Sequence, residues 1–141
     1  MSNWTHVAGV VRLDFINVFN RQLPDFDKMF GKECLFESAG DVWNDADANP
    51  DSYLPMGSEG SLQKSVWINP NKSHIAAFTV TIFGDLRDHD SAEEIIEWFK
   101  KKCEEVCAHH CFVRNAVITA ENEANGTMTW VYEEEDYEDE E

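Results

Sequence analysis

Positive charge is what this sequence has least of. Its 141 residues include 11 lysines and arginines against 28 aspartates and glutamates, which gives a formal net charge of −17 at pH 7. Nucleic acids and anionic membranes bind through clustered lysine and arginine, and an acidic surface repels them. We therefore expect no direct binding to nucleic acid or to a membrane, and we expect attraction to basic protein surfaces.

The sequence also lacks a long apolar run and a leader pattern. No segment reaches the roughly 20 apolar residues of a membrane span. The N-terminal stretch MSNWTHVAG has neither the basic region nor the apolar region of a signal peptide. These features predict a cytoplasmic protein, in which Cys34, Cys103, Cys107 and Cys111 are thiols rather than disulfides.

Composition predicts one folded domain and a tail. Hydrophobic residues make up 43% of the chain and aromatic residues 12%, which is enough to bury a core in a domain of this length. We predict a single α+β domain over residues 1–132. Residues 133–141, EEEDYEDEE, carry eight acidic side chains and are predicted to be a disordered tail. The domain itself keeps a net charge of −9, so the tail extends its negative field.

Hydrophobic periodicity predicts the order of the elements. Alternating patterns indicate strands at residues 4–15, 61–70 and 74–84, and spacings of three and four indicate helices near 24–31 and 90–110. Asn125-Gly126 between two further alternating runs predicts a C-terminal hairpin. Residues 37–60 are rich in Asp, Asn, Ser, Pro and Gly, and a loop of this length is often functional.

This order predicts a ferredoxin-like fold. Strand, helix, hairpin, helix and strand form its split β-α-β pattern. We expect one antiparallel sheet with two helices on one face, an additional C-terminal hairpin strand and a long 37–60 loop. The second face would be open or covered by that loop.

Finer features carry predictions of their own. Gly9 inside the first strand predicts a bulge or a close backbone approach. The apolar residues Phe78, Val80 and Ile82 are interpreted as divided between the two faces of a central strand. In the second helix the apolar stripe is predicted to run from Ile95 to His110.

Two stretches suggest metal binding without meeting its requirements. In CEEVCAHHC, residues 103–111, cysteines four apart could share a metal on a helix, but the spacing is not that of a zinc finger. Core packing is the favoured interpretation. In DADANPD, Asp45, Asp47 and Asn49 match an EF-hand loop, but Pro50 stands where that loop needs glycine. We predict neither a metal site nor a cofactor.

Two loops contain residue types that are found in catalytic or phosphate-binding sites. In GDLRDHDS, His89 lies between aspartates and could act as a base or a metal ligand. Without a second half to such a site, a helix-capping loop is favoured, with Arg87 tied to carboxylates. The stretch PMGSEGS, residues 55–61, has no phosphate-binding lysine. Of the five tryptophans, Trp43 is expected to be partly exposed, together with Tyr53.

Three stretches carry a resemblance. NWTHVAGVVRLD, LPMGSEGSLQKSVW and FTVTIFGDLRDHDS resemble a group of small uncharacterised proteins encoded by phages and prophages. The resemblance implies a genomic context and no activity, and it transfers no binding residue. In type, the chain is similar to anti-CRISPR inhibitors, several of which resemble nucleic acid in charge.

These observations predict a binding protein and not an enzyme. A phage-type inhibitor would occupy the basic groove of a nucleic-acid-handling host defence enzyme, and charge complementarity would speed its association. The predicted partner-binding residues are the acidic side chains of the loop and the tail: Asp45, Asp47, Asp51, Glu133, Glu134, Glu135, Asp136, Glu138 and Asp139.

Two alternatives stay open. A homodimer could hold a nucleotide signal or a metabolite between its sheets, with Arg12, Lys64, Arg87 and Arg114 converging on the ligand. A metal-dependent enzyme could be built on His89 and its neighbouring aspartates.

Overall fold

The computed structural model describes residues 3–16, 23–33, 52–68, 75–89 and 91–133. Its strands are β1 (Trp4–Ile16), β2 (Gln63–Ile68), β3 (Ile75–Arg87), β4 (Cys111–Asn122) and β5 (Gly126–Val131). Its helices are α1 (Phe26–Phe30) and α2 (Ala92–Glu105), and a 3-10 turn at Val106–His109 follows α2. The prediction of an α+β fold with one antiparallel sheet and two helices is confirmed.

The five strands form a single sheet in the order β2-β3-β1-β4-β5, and every neighbouring pair is antiparallel. β1 lies at the centre and pairs with both β3 and β4. Successive side chains of a strand point to opposite faces. Thr5 and His6 therefore project from the same end of β1 to opposite sides of the sheet.

One face of the sheet is buried. Val11 and Leu13 represent the odd-numbered positions of β1, and both are inaccessible to solvent. In β3, the side chains of Phe78, Val80 and Ile82 are at most 1% exposed. The prediction that these three are divided between the faces was wrong. They alternate with threonines, so all three point into the same core.

The two helices contribute to this core. Asp25 caps α1 by accepting hydrogen bonds from the backbone N–H groups of Asp27 and Lys28, and α1 buries Met29 and Phe30. Their side chains belong to the same apolar cluster as those of α2 and the sheet. Within the described part of the chain, neither helix has the length and apolar character needed to cross a membrane.

The second helix is shorter than predicted. Ser91 caps it by accepting a hydrogen bond from the backbone N–H of Glu94. Its buried stripe runs through Ile95, Phe99 and Cys103. The stripe does not reach His110, which is exposed and has a left-handed backbone with φ of 64°. The helical pattern ends there because the chain turns into β4.

A bulge was one of two features predicted for Gly9, but the bulge in this sheet lies in β4, opposite Arg12 and Leu13. Arg12 of β1 pairs with Asn115, whereas the next residue, Leu13, pairs with Val113. Arg114 is therefore an extra residue, which makes a bulge in β4. Gly9 keeps a regular register and makes room for Ile118, whose Cγ1 atom would lie 3.0 Å from an added Cβ.

The second face of the sheet, called the open face below, carries the residues that alternate with the core positions. The described part of the 37–60 segment packs on the other side, because Leu54 belongs to the buried core. Tyr53 is also buried, at 8% exposure, so its predicted exposure was wrong. Its backbone forms a parallel bridge with Lys32, and this pairing holds the segment against α1. Trp43 lies outside the described residues.

Candidate functional site

Of the predicted partner-binding residues, only Glu133 lies in the described part of the chain. It is exposed and lines a groove of about 440 Å³ between α2 and the end of β5, with Lys100, Trp130 and Tyr132. The other eight lie outside the described residues: Asp45, Asp47, Asp51, Glu134, Glu135, Asp136, Glu138 and Asp139. The candidate site is therefore built from carboxylates that sequence reasoning did not select.

The first group of carboxylates lies where β3 leads into α2. We call it the junction set and define it as Glu59, Asp88, Glu93, Glu94 and Glu97. Arg87 contacts two members: its Nη1 atom lies 2.7 Å from Oε1 of Glu59, and its Nε atom lies 3.7 Å from Oδ2 of Asp88. The prediction that carboxylates hold Arg87 is confirmed.

Backbone pairing brings Glu59 to this junction. Arg87 donates its backbone N–H to the carbonyl of Glu59, and Ser58 donates to the carbonyl of Arg87. Gly57 and Gly60 permit the contact, because a Cβ on either would lie within 2.3 Å of a β3 backbone oxygen. The segment PMGSEGS thus acts as a support for the end of β3.

Asp88 is held in an ionised form. Its carboxylate accepts hydrogen bonds from the backbone N–H of Asn3 at 3.3 Å and from the hydroxyl of Ser58 at 3.0 Å. The hydrogen bond from Asn3 lowers the pKa of Asp88 the most, and the one from Ser58 lowers it further. The positive charge of nearby Arg87 acts in the same direction. Asp88 therefore stays ionised at a pH at which an ordinary aspartate begins to take up a proton.

The remaining members of the junction set lie on α2. A groove of about 530 Å³ is lined by the exposed carboxylates of Glu93, Glu94 and Glu97. The half-buried Trp98 and the exposed Lys101 lie beside them. An aromatic ring edged by carboxylates suits a cationic side chain. This surface has the chemistry expected for contact with an arginine-rich or lysine-rich partner.

A second group, the His6 cluster, lies on the open face at the same end of the sheet. Nδ1 of His6 is 2.6 Å from a carboxylate oxygen of Asp85, and Nε2 is 3.0 Å from one of Glu123. Glu121 lies opposite His6 in the sheet register and completes the cluster. Carboxylates from the two segments that flank the start of β1 thus contact both nitrogens of one imidazole, with Glu121 in the neighbouring register position.

The contacts of His6 favour a charged ring. A neutral imidazole has only one N–H, whereas both of its nitrogens here face carboxylates, which accept hydrogen bonds when ionised. The hydrogen bonds to Asp85 and then to Glu123 raise the pKa of His6 above 6.5. In turn, hydrogen bonds from His6 and then from the backbone N–H of Trp4 lower the pKa of Glu123.

On the buried face, the same end of the sheet holds a neutral polar network that the sequence did not reveal. The side-chain amide of Asn122 donates to Oγ1 of Thr5 at 3.0 Å and to the backbone carbonyl of His89 at 3.1 Å. Its Oδ1 atom accepts from the backbone N–H groups of Ala124 and Asn125, each at 3.0 Å. Asn122 therefore ties β1, the β3–α2 junction and the β4–β5 turn together.

Two of the three cysteines in CEEVCAHHC pack in the core. Cys103 is 4% exposed and Cys111 is inaccessible, whereas Cys107 is exposed. Burial raises the pKa of Cys103 to about 12 and that of Cys111 to about 11, with Glu104 adding to the first effect. Core packing is thus confirmed for these two, and Cys34 lies outside the described residues. Among the described side chains, no group of three or more His, Cys, Asp and Glu is arranged to hold a metal.

The alternative sites predicted on His89 and on four cations have these positions. Nε2 of His89 lies 3.8 Å from a carboxylate oxygen of Glu94, and Asp90 lies outside the described residues. Lys64 is on the buried face, where its Nζ atom donates to the carbonyl of Gly31 at 2.8 Å. Arg12 and Arg114 belong to the open face. The four cations Arg12, Lys64, Arg87 and Arg114 therefore do not face a common ligand.

Comparisons with protein-family models, with curated proteins and with solved structures found no match for this chain.

Proposed function

We propose that this protein is an acidic binding protein that occupies the basic surface of a nucleic-acid-handling enzyme. The observation that carries the proposal is the junction set. Carboxylates of the 57–60 segment and of the β3 terminus meet at Arg87, those of the first turns of α2 follow a few residues later, and Glu59, Asp88 and Glu94 are all more than half exposed at their side chains. Glu59 reaches this region only through the fold, because its backbone pairs with that of Arg87.

The chemistry of this surface supports contact with a basic partner. Exposed carboxylates gain little from isolated surface ion pairs, but a clustered field speeds the encounter with a positively charged groove. The lowered pKa of Asp88 keeps that carboxylate ionised. The acidic residues of the 37–51 segment and of the tail would add to the same field, as their sequence suggests.

The biological setting is part of the proposal. The resemblance to phage and prophage proteins suggests inhibition of a host defence enzyme in the host cytoplasm, in the manner of an anti-CRISPR protein that mimics nucleic acid. The support for this step is sequence resemblance and charge. In this role the protein needs no catalytic group and no cofactor.

We also propose that the fold is ferredoxin-like with one added strand. In that fold the fourth strand pairs with the first, the first with the third and the third with the second. The order β4-β1-β3-β2 in this sheet supports the assignment, with β5 added beside β4. The split connections of such a fold place both helices on one side, which leaves the carboxylates at the strand ends accessible.

The test is a binding experiment with matched variants. The tagged full chain is incubated with nuclease-treated host lysate, and any captured nucleic-acid enzyme is purified for kinetics. We expect binding that weakens with salt and that is displaced by that enzyme's own nucleic acid. The Glu93→Gln/Glu94→Gln variant should slow association several-fold, because steering depends on local charge.

The control uses the other end of the same helix. Glu104→Gln/Glu105→Gln makes an identical charge change outside the junction set and should alter association by less than about twofold. A partner that binds the junction variant, the control and a chain lacking residues 133–141 equally well would overturn the proposal. So would a captured enzyme that binds this protein and its nucleic acid at the same time.

A further inference from the structure

The open face of the sheet is nearly free of the negative charge that dominates the chain. Its three middle rows run across the strands between the His6 cluster and Asp14. Register places fourteen residues in these rows, of which only Arg12 is charged: Gln63, Phe83, Ala8, Thr119, Thr129, Ser65, Thr81, Val10, Val117, Val131, Trp67, Thr79, Arg12 and Asn115.

This face also holds most of the exposed large apolar side chains of the described residues. Trp67 is 58% exposed, Phe83 38%, Phe112 54% and Val131 57%. They come from four different strands and surround a flat centre of alanine, valine and threonine. Exposed apolar groups arranged in this way are characteristic of an interaction surface.

The charges on this face have opposite signs at its two ends. The His6 cluster at one end contains Glu121, which is exposed and has no ion-pair partner among the described residues. Near the other end lie Arg12, exposed and equally without an ion-pair partner in the described ranges, and Arg114, whose Nε atom is 3.5 Å from Asp14. Six residues of strand separate the rows of Glu121 and Arg12, which is about 20 Å.

We propose that this face binds a second copy of the same chain. The two-fold axis would lie between the two sheets, perpendicular to the strands and level with Gly9. It would place β1 of one copy over β1 of the other, with the two strands running in opposite directions. It would place Arg12 of each copy over the His6 row of the other, about one strand spacing from Glu121, so that the two side chains can form two equivalent ion pairs. Such a contact is isologous, which is the commonest symmetry of protein dimers.

The area of the face fits a dimer. Over the rows from His6 to Asp14 the three central strands extend about 27 Å and the two shorter edge strands about 20 Å, so with a strand spacing of about 4.8 Å the flat face measures about 580 Å². Side-chain relief raises its accessible area toward the roughly 800 Å² per partner of a standard interface. The junction set lies outside this contact, so the inference is independent of the proposed function.

The test is the association state of the full chain by light scattering and sedimentation from low to high micromolar concentration. We expect a dimer. Arg12→Glu and Glu121→Arg should each weaken it by about tenfold, because each change turns two attractive contacts into repulsive ones. An equimolar mixture of the two variants should form a heterodimer with both ion pairs restored, a pattern that only this pairing produces.

Two controls keep folding and total charge separate from association. Lys101→Glu makes the same charge change as Arg12→Glu on the exposed surface of α2 and should leave the dimer intact. Val10→Lys places a charge at the centre of the face and should give a folded monomer, checked by circular dichroism. A monomeric wild-type chain would overturn the proposal, as would a dimer that is insensitive to Arg12→Glu and Val10→Lys, or a folded variant mixture that fails to associate.

Discussion

Thr5 and His6 are adjacent in the chain and belong to two contrasting polar clusters. Thr5 points into the core, where Asn122 and the carbonyl of His89 satisfy it without any charge. His6 points to the open face, where it lies partly solvated between the carboxylates of Asp85 and Glu123. Both clusters tie the start of β1 to the same two neighbouring segments. The difference shows that burial, more than the number of partners, sets the energetic weight of a polar contact.

The largest effect is expected from breaking the buried network. Asn122→Ala removes four hydrogen bonds and leaves a small cavity beside Thr5. Because Asn122 is 1% exposed, we expect a loss of about 2–3 kcal/mol in the free energy of unfolding, measured by urea denaturation. Asn115→Ala, at an exposed position of the same strand, should cost less than about 0.5 kcal/mol. Equal losses in the two variants would contradict the contrast between the faces.

A smaller and pH-dependent effect is expected from the exposed cluster. The pKa of His6 is raised in the folded state. The stability that His6 contributes is therefore fully present below pH 6.5 and is lost as pH rises through the folded-state pKa. The pKa of Glu123 is lowered in the folded state, so the stability that this carboxylate contributes is lost as pH falls through the lowered pKa. Wild type should therefore exceed His6→Gln in stability most clearly near pH 5.5 and least near pH 8.5.

The size of this difference should stay below about 1 kcal/mol, because the imidazole is 41% exposed and solvent screens its ion pairs. The measurement is the thermal unfolding midpoint of both proteins across that pH range. A stability difference that grows toward pH 8.5 would contradict the assigned protonation of His6.

The smallest effect concerns reactivity and leaves stability unchanged. In a Cys34→Ser background, Cys107 should react with a thiol reagent at pH 8, whereas Cys103 and Cys111 should react only on unfolding. Burial keeps the reagent away from Cys103 and Cys111. It also disfavours their thiolates, because it raises their pKa values to about 12 and about 11. Counting the fast-reacting thiols before and after adding denaturant checks this, and two fast thiols in the native protein would contradict it.

The elements were largely predictable because strand alternation and helix capping are local signals. The turn between β4 and β5 shows the limit of such signals. Asn125-Gly126 was expected to lie between the two strands, but Asn122 pairs with Gly126, so residues 123–125 form the turn and Gly126 begins β5. The side chain of Asn122 selects this turn by bonding its backbone N–H groups, a choice that depends on packing against Thr5 from the far end of the chain.

The candidate site was less predictable for a related reason. The partners of His6 are 79 and 117 residues away in sequence, so only the sheet register brings them together. Arg87 could be assigned to carboxylates because its neighbours are acidic, but Glu59 reaches it through backbone pairing that no local pattern contains. Charge composition predicts that the surface is acidic, but the positions of the clustered carboxylates depend on the fold.

The bulge at Arg114 acts like a frameshift in the pattern of β4. Before it, Cys111 is buried and Phe112 exposed, and after it Ala116 and Ile118 take the buried positions with the opposite numbering. Deleting this one residue would place Val113 directly before Asn115 in a regular alternation, with Cys111 still buried and Phe112 still exposed. The bulge therefore takes up one extra residue without changing which side chains of β4 face the core and which face the open side.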